Sequence, residues 1–386
     1  MSVIEHIYLY ILLFSFFFYW GKNFYNVKPK ESFWLLASAP ILLYSFVVGS
    51  RYGWGPDYMF YKFRLEHAFT FPEEQLGFRW LNQFIDILGL NYVGGYVVYS
   101  LIFMTCAFIL ICSYSKDSKY MYAFVVPATL PMVSNGIRQG VGLSFLLLAL
   151  YFLNKKNRIY AIGSLLVGAS IHTVTLIPAV LIFGIYLVFS KKLFDWRITL
   201  TLYVIASFVL SPTSIGIIAN YAHYISLGGK FQLYIDNADY WFGADAADEI
   251  YAQSAFALIT SSLFHMSFIY LGYISLKIKP NFKVIYLYNS VVFGLIFLRI
   301  VFLFEILRRF AEPLVLLYFI PLGYILSTKE IQIEFKRFLK GNGTYTLNRI
   351  LVSAGLFFII IYHLLFWGRF IFINPEGIFY WNITVV

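Results

Sequence analysis

A dozen apolar runs, most of them near the length that crosses a bilayer, constrain this chain more than any other feature. They fall at about 3–20, 33–49, 93–113, 120–134, 138–153, 159–171, 173–190, 197–218, 252–275, 284–304, 310–326 and 350–366. A hydrocarbon core of ~30 Å takes about 20 apolar helical residues to cross, and within it every backbone polar group must be satisfied internally. Composition agrees. The 386 residues are 60% hydrophobic and 12% charged, with a mean hydropathy of +0.74, where a soluble domain carries about 25% charged residues. The chain therefore reads as all-α, a polytopic integral membrane protein with about twelve transmembrane helices, some short or re-entrant. It forms a single membrane domain over residues 1–386.

The first run lacks a basic leader and a small-residue cleavage site, so it reads as a span. The stretch 159–190 is too long for one helix and tight for two. His172 and Pro178 predict two short helices meeting at a turn below the membrane surface. Basic residues then set the orientation. With the loop holding Lys22, Lys28 and Lys30 inside, the other inside loops carry Lys116 and Lys119, Lys155 to Arg158, Lys191 to Arg197, Lys277 to Lys283, and Lys329 to Arg349. These loops hold 19 of the 29 Lys and Arg residues but five acids, which predicts both termini outside. The formal charge of +10 is thus absorbed by topology, and nucleic acid is not an expected partner. Cys106 and Cys112 lie six apart on one helix and point to different faces, so neither a disulfide nor a metal site is expected.

Two external loops are large, 50–92 and 219–250, and a basic cytoplasmic loop covers 327–349. In the first, Arg51 and Asp57 bracket an aromatic, glycine-rich turn, and an amphipathic helix follows with Leu81, Phe84, Ile85 and Leu88 on one face. That helix is expected to lie on the outer membrane surface. The second loop sets Asp236, Asp239, Asp245, Asp248 and Glu249 among Tyr and Trp, a mixture suited to carbohydrate hydroxyls and ring faces and equally to a solvated loop. Segment 329–340 is basic and amphipathic and suits the inner leaflet. The sequence contains no nucleotide-binding glycine loop and no Cys/His cluster, so neither cofactor nor metal is expected.

Charges gather on the predicted outer side: Arg51, Asp57, Glu73, Glu74, Arg138, His172, Glu305, Arg308 and Arg309. Arg138 sits between apolar runs in Ser134-Asn-Gly-Ile-Arg-Gln-Gly140, flanked by the amides of Asn135 and Gln139. A charge at such depth marks function by default, because leaving it unpaired costs several kcal/mol. Converging arginines suit a diphosphate, since the planar fork donates paired bonds and stays charged. Histidine is the side chain type suited to taking a proton from a hydroxyl near neutral pH, which makes His172 a candidate base, although a lone histidine in an apolar run is more often a bonded core residue. Arg308 and Arg309 have a plainer alternative in helical ion pairs with Glu305 and Glu312. His265 and His363 carry no motif and read as structural.

Five segments recur together: Arg51-Tyr-Gly-Trp-Gly-Pro-Asp57-Tyr58, Gly77-Phe-Arg-Trp-Leu-Asn82, Asn135-Gly-Ile-Arg138-Gln139-Gly140, Ala169-Ser-Ile-His172 and Leu307-Arg-Arg309-Phe310. In this order, over roughly residues 45–325, they resemble the EpsG family of polysaccharide polymerases, the Wzy-like enzymes of bacterial exopolysaccharide, capsule and O-antigen loci. One departure is Glu74-Gln-Leu-Gly-Phe78, where the family usually has a Glu-Pro-Gly-Phe-like element. The resemblance implies a metal-independent glycosyl transfer at the outer face of the cytoplasmic membrane. The donor is a glycan on undecaprenyl diphosphate and the acceptor a lipid-linked repeat unit, with a chain-length regulator as a partner. It also implies roles. Arg138 and Arg309, with Arg51 or Arg308, neutralise the leaving diphosphate, supported by Asn135 and Gln139. His172 is general base or phosphate ligand, and Asp57 orients the acceptor or serves as base. The short helices of 159–190 offer the lipid tails a sideways route. An O-antigen ligase shares the donor, and a lipid-linked oligosaccharide flippase shares the lipid. The flippase calls for charges at mid-membrane and two related halves, neither of which the sequence shows.

Overall fold

The computed structural model describes residues 3–24, 31–52, 57–71, 75–114, 117, 119–134, 136–209, 255–302, 305–340, 347–372 and 380–381. These residues are helical, as expected, apart from turns and one two-residue antiparallel pairing. In that pairing β1 (Arg51–Tyr52) meets β2 (Tyr380–Trp381), with Arg51 opposite Trp381.

In chain order the helices begin with α1 (Val3–Phe24), α2 (Glu31–Gly49), α3 (Tyr58–Glu66), α4 (Leu76–Ile87), α5 (Tyr92–Cys112) and α6 (Met121–Ser134). Next come α7 (Ile137–Asn154), α8 (Arg158–Ile171), a 3-10 turn (Thr173–Thr175), α9 (Leu176–Phe189), α10 (Trp196–Val204) and a π turn (Ile205–Val209). Then follow α11 (Ala255–Ile278), α12 (Phe282–Ile300), α13 (Glu305–Leu316), α14 (Phe319–Ser327), α15 (Lys329–Leu339) and α16 (Leu347–Phe372). Among the described residues, five segments can cross a membrane by length and apolar character: Tyr92–Cys112, Ile137–Asn154, Phe256–Ile278, Phe282–Ile300 and Leu307–Ser327. Others are apolar but shorter, among them Phe33–Gly49, Arg158–Ile171 and Arg349–Leu365. A figure of about twelve spans therefore rests on the shorter helices and on residues outside those described. Large apolar side chains that would be buried in a soluble protein stand outward, such as Leu35 (78% exposed) and Ile159 (83%). Such a surface is stable against lipid and not against water.

The chain forms two compact units, Met1–Val180 with Phe319–Lys329 and His363–Val386, and Leu181–Tyr318 with Glu330–Tyr362. In the first, α5 packs between α2 and α7, α7 packs on α8, and α6 joins α1 and α14. Buried polar bonds fix these neighbours: Tyr44 with Thr129 at 3.0 Å, and the Asn154 amide donating to Ser113 (3.1 Å) and Tyr114 (3.0 Å). The predicted break near His172 is present. α8 ends at Ile171, His172 is extended, and Pro178 falls in the first turn of α9, where a missing N–H costs nothing. With 14 residues, α8 rises only about 21 Å, short of the ~30 Å core.

The amphipathic helix is also present. α4 turns Phe78, Asn82 and Ile85 inward and leaves Phe84 and Leu88 outward with Trp80 and Ile87. The aromatic Phe78 and the hydrogen-bonding Asn82 have specific partners in the unit, which the merely apolar Phe84 and Leu88 lack. In the second unit, the buried Asn289 amide donates to the carbonyls of Phe189 (3.2 Å) and Lys192 (2.8 Å) and accepts from the Phe194 N–H (3.1 Å). On α15, Glu334 pairs with Arg349 (2.9 Å) and Arg337 (3.1 Å).

Candidate active site

Four of the five sequence segments meet in the first unit, although they come from helices far apart in the chain. Tyr58, Tyr61, Phe78, Tyr96, Tyr99, Ile137, Val141 and Ile171 share one buried cluster. Tyr58 stacks on Tyr96 at 4.9 Å and accepts the Tyr96 hydroxyl on its carbonyl at 2.6 Å. Phe78, fully buried, stacks on Tyr99 at 5.7 Å and meets Tyr61 edge-on at 5.9 Å. The Tyr99 hydroxyl donates to the Asn82 side chain. The aromatic residues of this region are thus a rigid floor held together by hydroxyl bonds.

Arg138 stands on that floor. It lies in the first turn of α7, half-buried, with its guanidinium carbon 6.0 Å from the Phe78 ring centroid. Its Nε is buried and makes no hydrogen bond among the described residues. Gly136 occupies the cap position before α7, its carbonyl accepting the Gly140 N–H at 2.6 Å. The helix N-terminus adds partial positive charge beside the guanidinium. Gln139, buried, follows on the same turn.

His172 lies one helical turn deeper along α7. A Cβ on Gly142 would stand 3.0 Å from the His172 Cβ and 2.7 Å from the Thr175 hydroxyl, and one on Gly168 would stand 2.8 Å from the Gly142 carbonyl. Two glycines therefore let α7 and α8 cross nearly backbone to backbone, which seats the buried His172 against α7. Its N–H donates to Gly168 (2.8 Å) and its carbonyl accepts the Thr175 N–H (2.9 Å). From the other side comes α4: a Cβ on Gly77 would stand 2.9 Å from the Ser170 carbonyl carbon. Gln75 donates its amide to the Thr173 hydroxyl at 3.0 Å and accepts the Thr173 N–H at 3.3 Å.

The remaining expected residues are placed as follows. Asp57 precedes α3, half-buried; its carbonyl accepts the Tyr61 N–H at 3.0 Å, and its side chain makes no capping bond. Arg51 contributes backbone to β1. Arg308 and Arg309 lie on α13 in the second unit, where Arg308 forms the plain intrahelical pair with Glu312 at 2.7 Å. Asn135, Glu73, Glu74, the 219–250 loop and the side chains of Arg51, Ser134 and Glu305 lie outside what the structure describes. Among the described residues no group of His, Cys, Asp and Glu has metal-ligand geometry.

Sequence reasoning missed two features. Gln75 showed no signal, because its partner lies 98 residues away. Arg299 did carry one, a cation inside an apolar run. In the second unit its guanidinium donates to the hydroxyls of Tyr203 (2.8 Å), Ser261 (2.5 Å) and Ser262 (3.3 Å), and Tyr203 also bonds His265 Nδ1 at 2.8 Å. His265 is thus a bonded core residue, as expected, and His363 packs edge-on against Phe124 at 5.0 Å.

The EpsG family model matches residues 34–371, nearly the whole chain. No curated protein and no solved structure matches significantly. The match spans all five segments, including the four that the first unit gathers around Arg138 and His172. On that span the chain is a member of the EpsG family.

Proposed function

We propose that this protein polymerises lipid-linked oligosaccharide repeat units at the outer face of the bacterial cytoplasmic membrane. It transfers the growing glycan from undecaprenyl diphosphate to a new lipid-linked unit. Family membership supports the reaction class. The observation that carries the assignment to residues is Arg138: a half-buried, permanently charged fork on an aromatic floor at a helix N-terminus, with its Nε unused among the described residues.

In this reading the acceptor's non-reducing hydroxyl oxygen attacks the anomeric carbon of the donor. The new glycosidic C–O bond forms as the bond to the lipid diphosphate breaks. Arg138 neutralises the departing diphosphate, with Gln139 supporting it. His172 takes the hydroxyl proton, and Asp57 orients the acceptor. Arg51, Arg308 and Arg309 remain proposed diphosphate ligands, and Asn135 a supporting residue, from the family resemblance. Substitution of each tests it separately. A chain-length regulator is the proposed protein partner.

The test is a gel profile of surface polysaccharide from a strain lacking the gene, complemented with wild type or Arg138→Ala. Loss of the ladder, with single repeats still reaching the surface, and no rescue by a normally expressed Arg138→Ala are the expected results. Complete absence of surface repeats overturns the reading in favour of a ligase or a flippase. Accumulation of lipid-linked repeats outside or inside separates those two.

A further inference from the structure

We infer that Gln75 is a positioning residue for His172, an inference that rests on the acid–base role of His172 given above. Gln75 occupies the cap position before α4, where Ser, Thr, Asp or Asn normally satisfies the first free N–H groups of the helix. Its side chain makes no such capping bond. Both ends of its amide go instead to the residue after His172, with the Nε2 donating to the Thr173 hydroxyl and the Oε1 accepting the Thr173 N–H.

These two bonds fix different things. Holding the Thr173 N–H fixes the plane of the 172–173 peptide, whose carbonyl belongs to His172 and already accepts the Thr175 N–H. Holding the hydroxyl fixes the Thr173 rotamer, so the amide is gripped at two points and cannot pivot about one bond. His172 has left the helix, with φ −150° and ψ 101°, although its N–H still reaches the Gly168 carbonyl. Gly168 lies behind it and Gly142 against its Cβ. Gln75 adds a hold from α4 on the residue that follows His172. The close approach of Gly77 to Ser170 shows that α4 is seated firmly enough for this grip to transmit position.

The experiment uses the full-length protein in lipid, with lipid-linked repeat units as both donor and acceptor. Gln75→Met keeps length and loses both bonds. Gln75→Glu keeps two acceptors, one for the Thr173 N–H and one for a hydroxyl that rotates to donate. Gln75→Met is expected to lower kcat about tenfold, the effect of a displacement of about half an ångström at His172, with KM unchanged and a small fall in melting temperature from the two lost hydrogen bonds. Gln75→Glu is expected to restore most of the rate. Thr173→Val, which loses one bond, gives a smaller fall in kcat and serves if Gln75→Met does not accumulate. A wild-type kcat for Gln75→Met overturns the inference, as does a loss confined to KM or to melting temperature. His172→Gln is run beside them: if it keeps the wild-type rate, the acid–base reading of His172 falls and takes this inference with it.

Discussion

Replacing Gly142 by alanine puts one methyl group at the tightest point of the α7–α8 crossing. That methyl would stand 2.7 Å from the Thr175 hydroxyl, 3.0 Å from the His172 Cβ and 3.3 Å from the Gly168 carbonyl. The turn carrying His172 must withdraw by about half an ångström to restore ordinary contact. Overpacking of this kind costs about 1–3 kcal/mol, offset in part by up to ~1 kcal/mol of improved helix propensity, so the protein still folds. Catalysis is more exposed, since a misplacement of ~1 Å can cost about a hundredfold, and half of that corresponds to about tenfold. The control is Gly163→Ala on α8, where an added Cβ meets nothing within 4 Å. Polymerisation is followed as the rate of ladder growth in lipid, and folding by thermal unfolding of the same preparation. Gly142→Ala is expected to be about tenfold slower and slightly less stable, and Gly163→Ala indistinguishable from wild type or more stable. Equal rates in the two variants would refute the argument that close backbone packing sets the position of His172.

Two further outcomes concern the second unit. Arg299→Met removes the hub of three hydroxyl bonds and should destabilise the protein by about 2 kcal/mol in thermal unfolding. Arg299→Lys should not restore it, because an ammonium cannot fork to Tyr203 and the two serines at once. Glu334 is held below its ordinary carboxylate range by its hydrogen bond to Arg349, with Arg337 adding to the effect. A lowered folded-state value means the pair stabilises above the unfolded value, near 4.5, and the gain fades as pH falls through the folded value. Because the carboxylate is solvent-accessible the effect is small. Glu334→Gln should shallow the acid limb of a melting-temperature profile between pH 7 and 3, and an unchanged limb would discard the pairing as a source of acid sensitivity.

The sequence was legible where its signals are local. The end of α8 at His172 and the start of α7 beside Arg138 follow from apolar periodicity and its interruption. The gathering of motifs was not legible. That Phe78 underlies Arg138, or that Gln75 reaches Thr173, depends on which face of α4 is turned inward. α4 has apolar residues on more than one side, so periodicity alone could not choose between them. Partner chemistry chose: a stacking ring and an amide went in, and plain hydrocarbon stayed out. Arg299 was masked by a different effect, because its apolar run absorbed one cation without losing the appearance of a span.

The shortness of α8 has a consequence for the bilayer. Starting from Arg158, its 14 residues stop roughly 9 Å before a ~30 Å hydrocarbon slab ends. Across that end lies α4, joined to it through Gly77–Ser170 and Gln75–Thr173. The outward residues Trp80, Phe84, Ile87 and Leu88 offer an apolar surface beside that end. Hydrophobic mismatch at the end of α8 would therefore be felt at α4. Thicker or thinner acyl chains would act first on the seating of α4, and through it on His172.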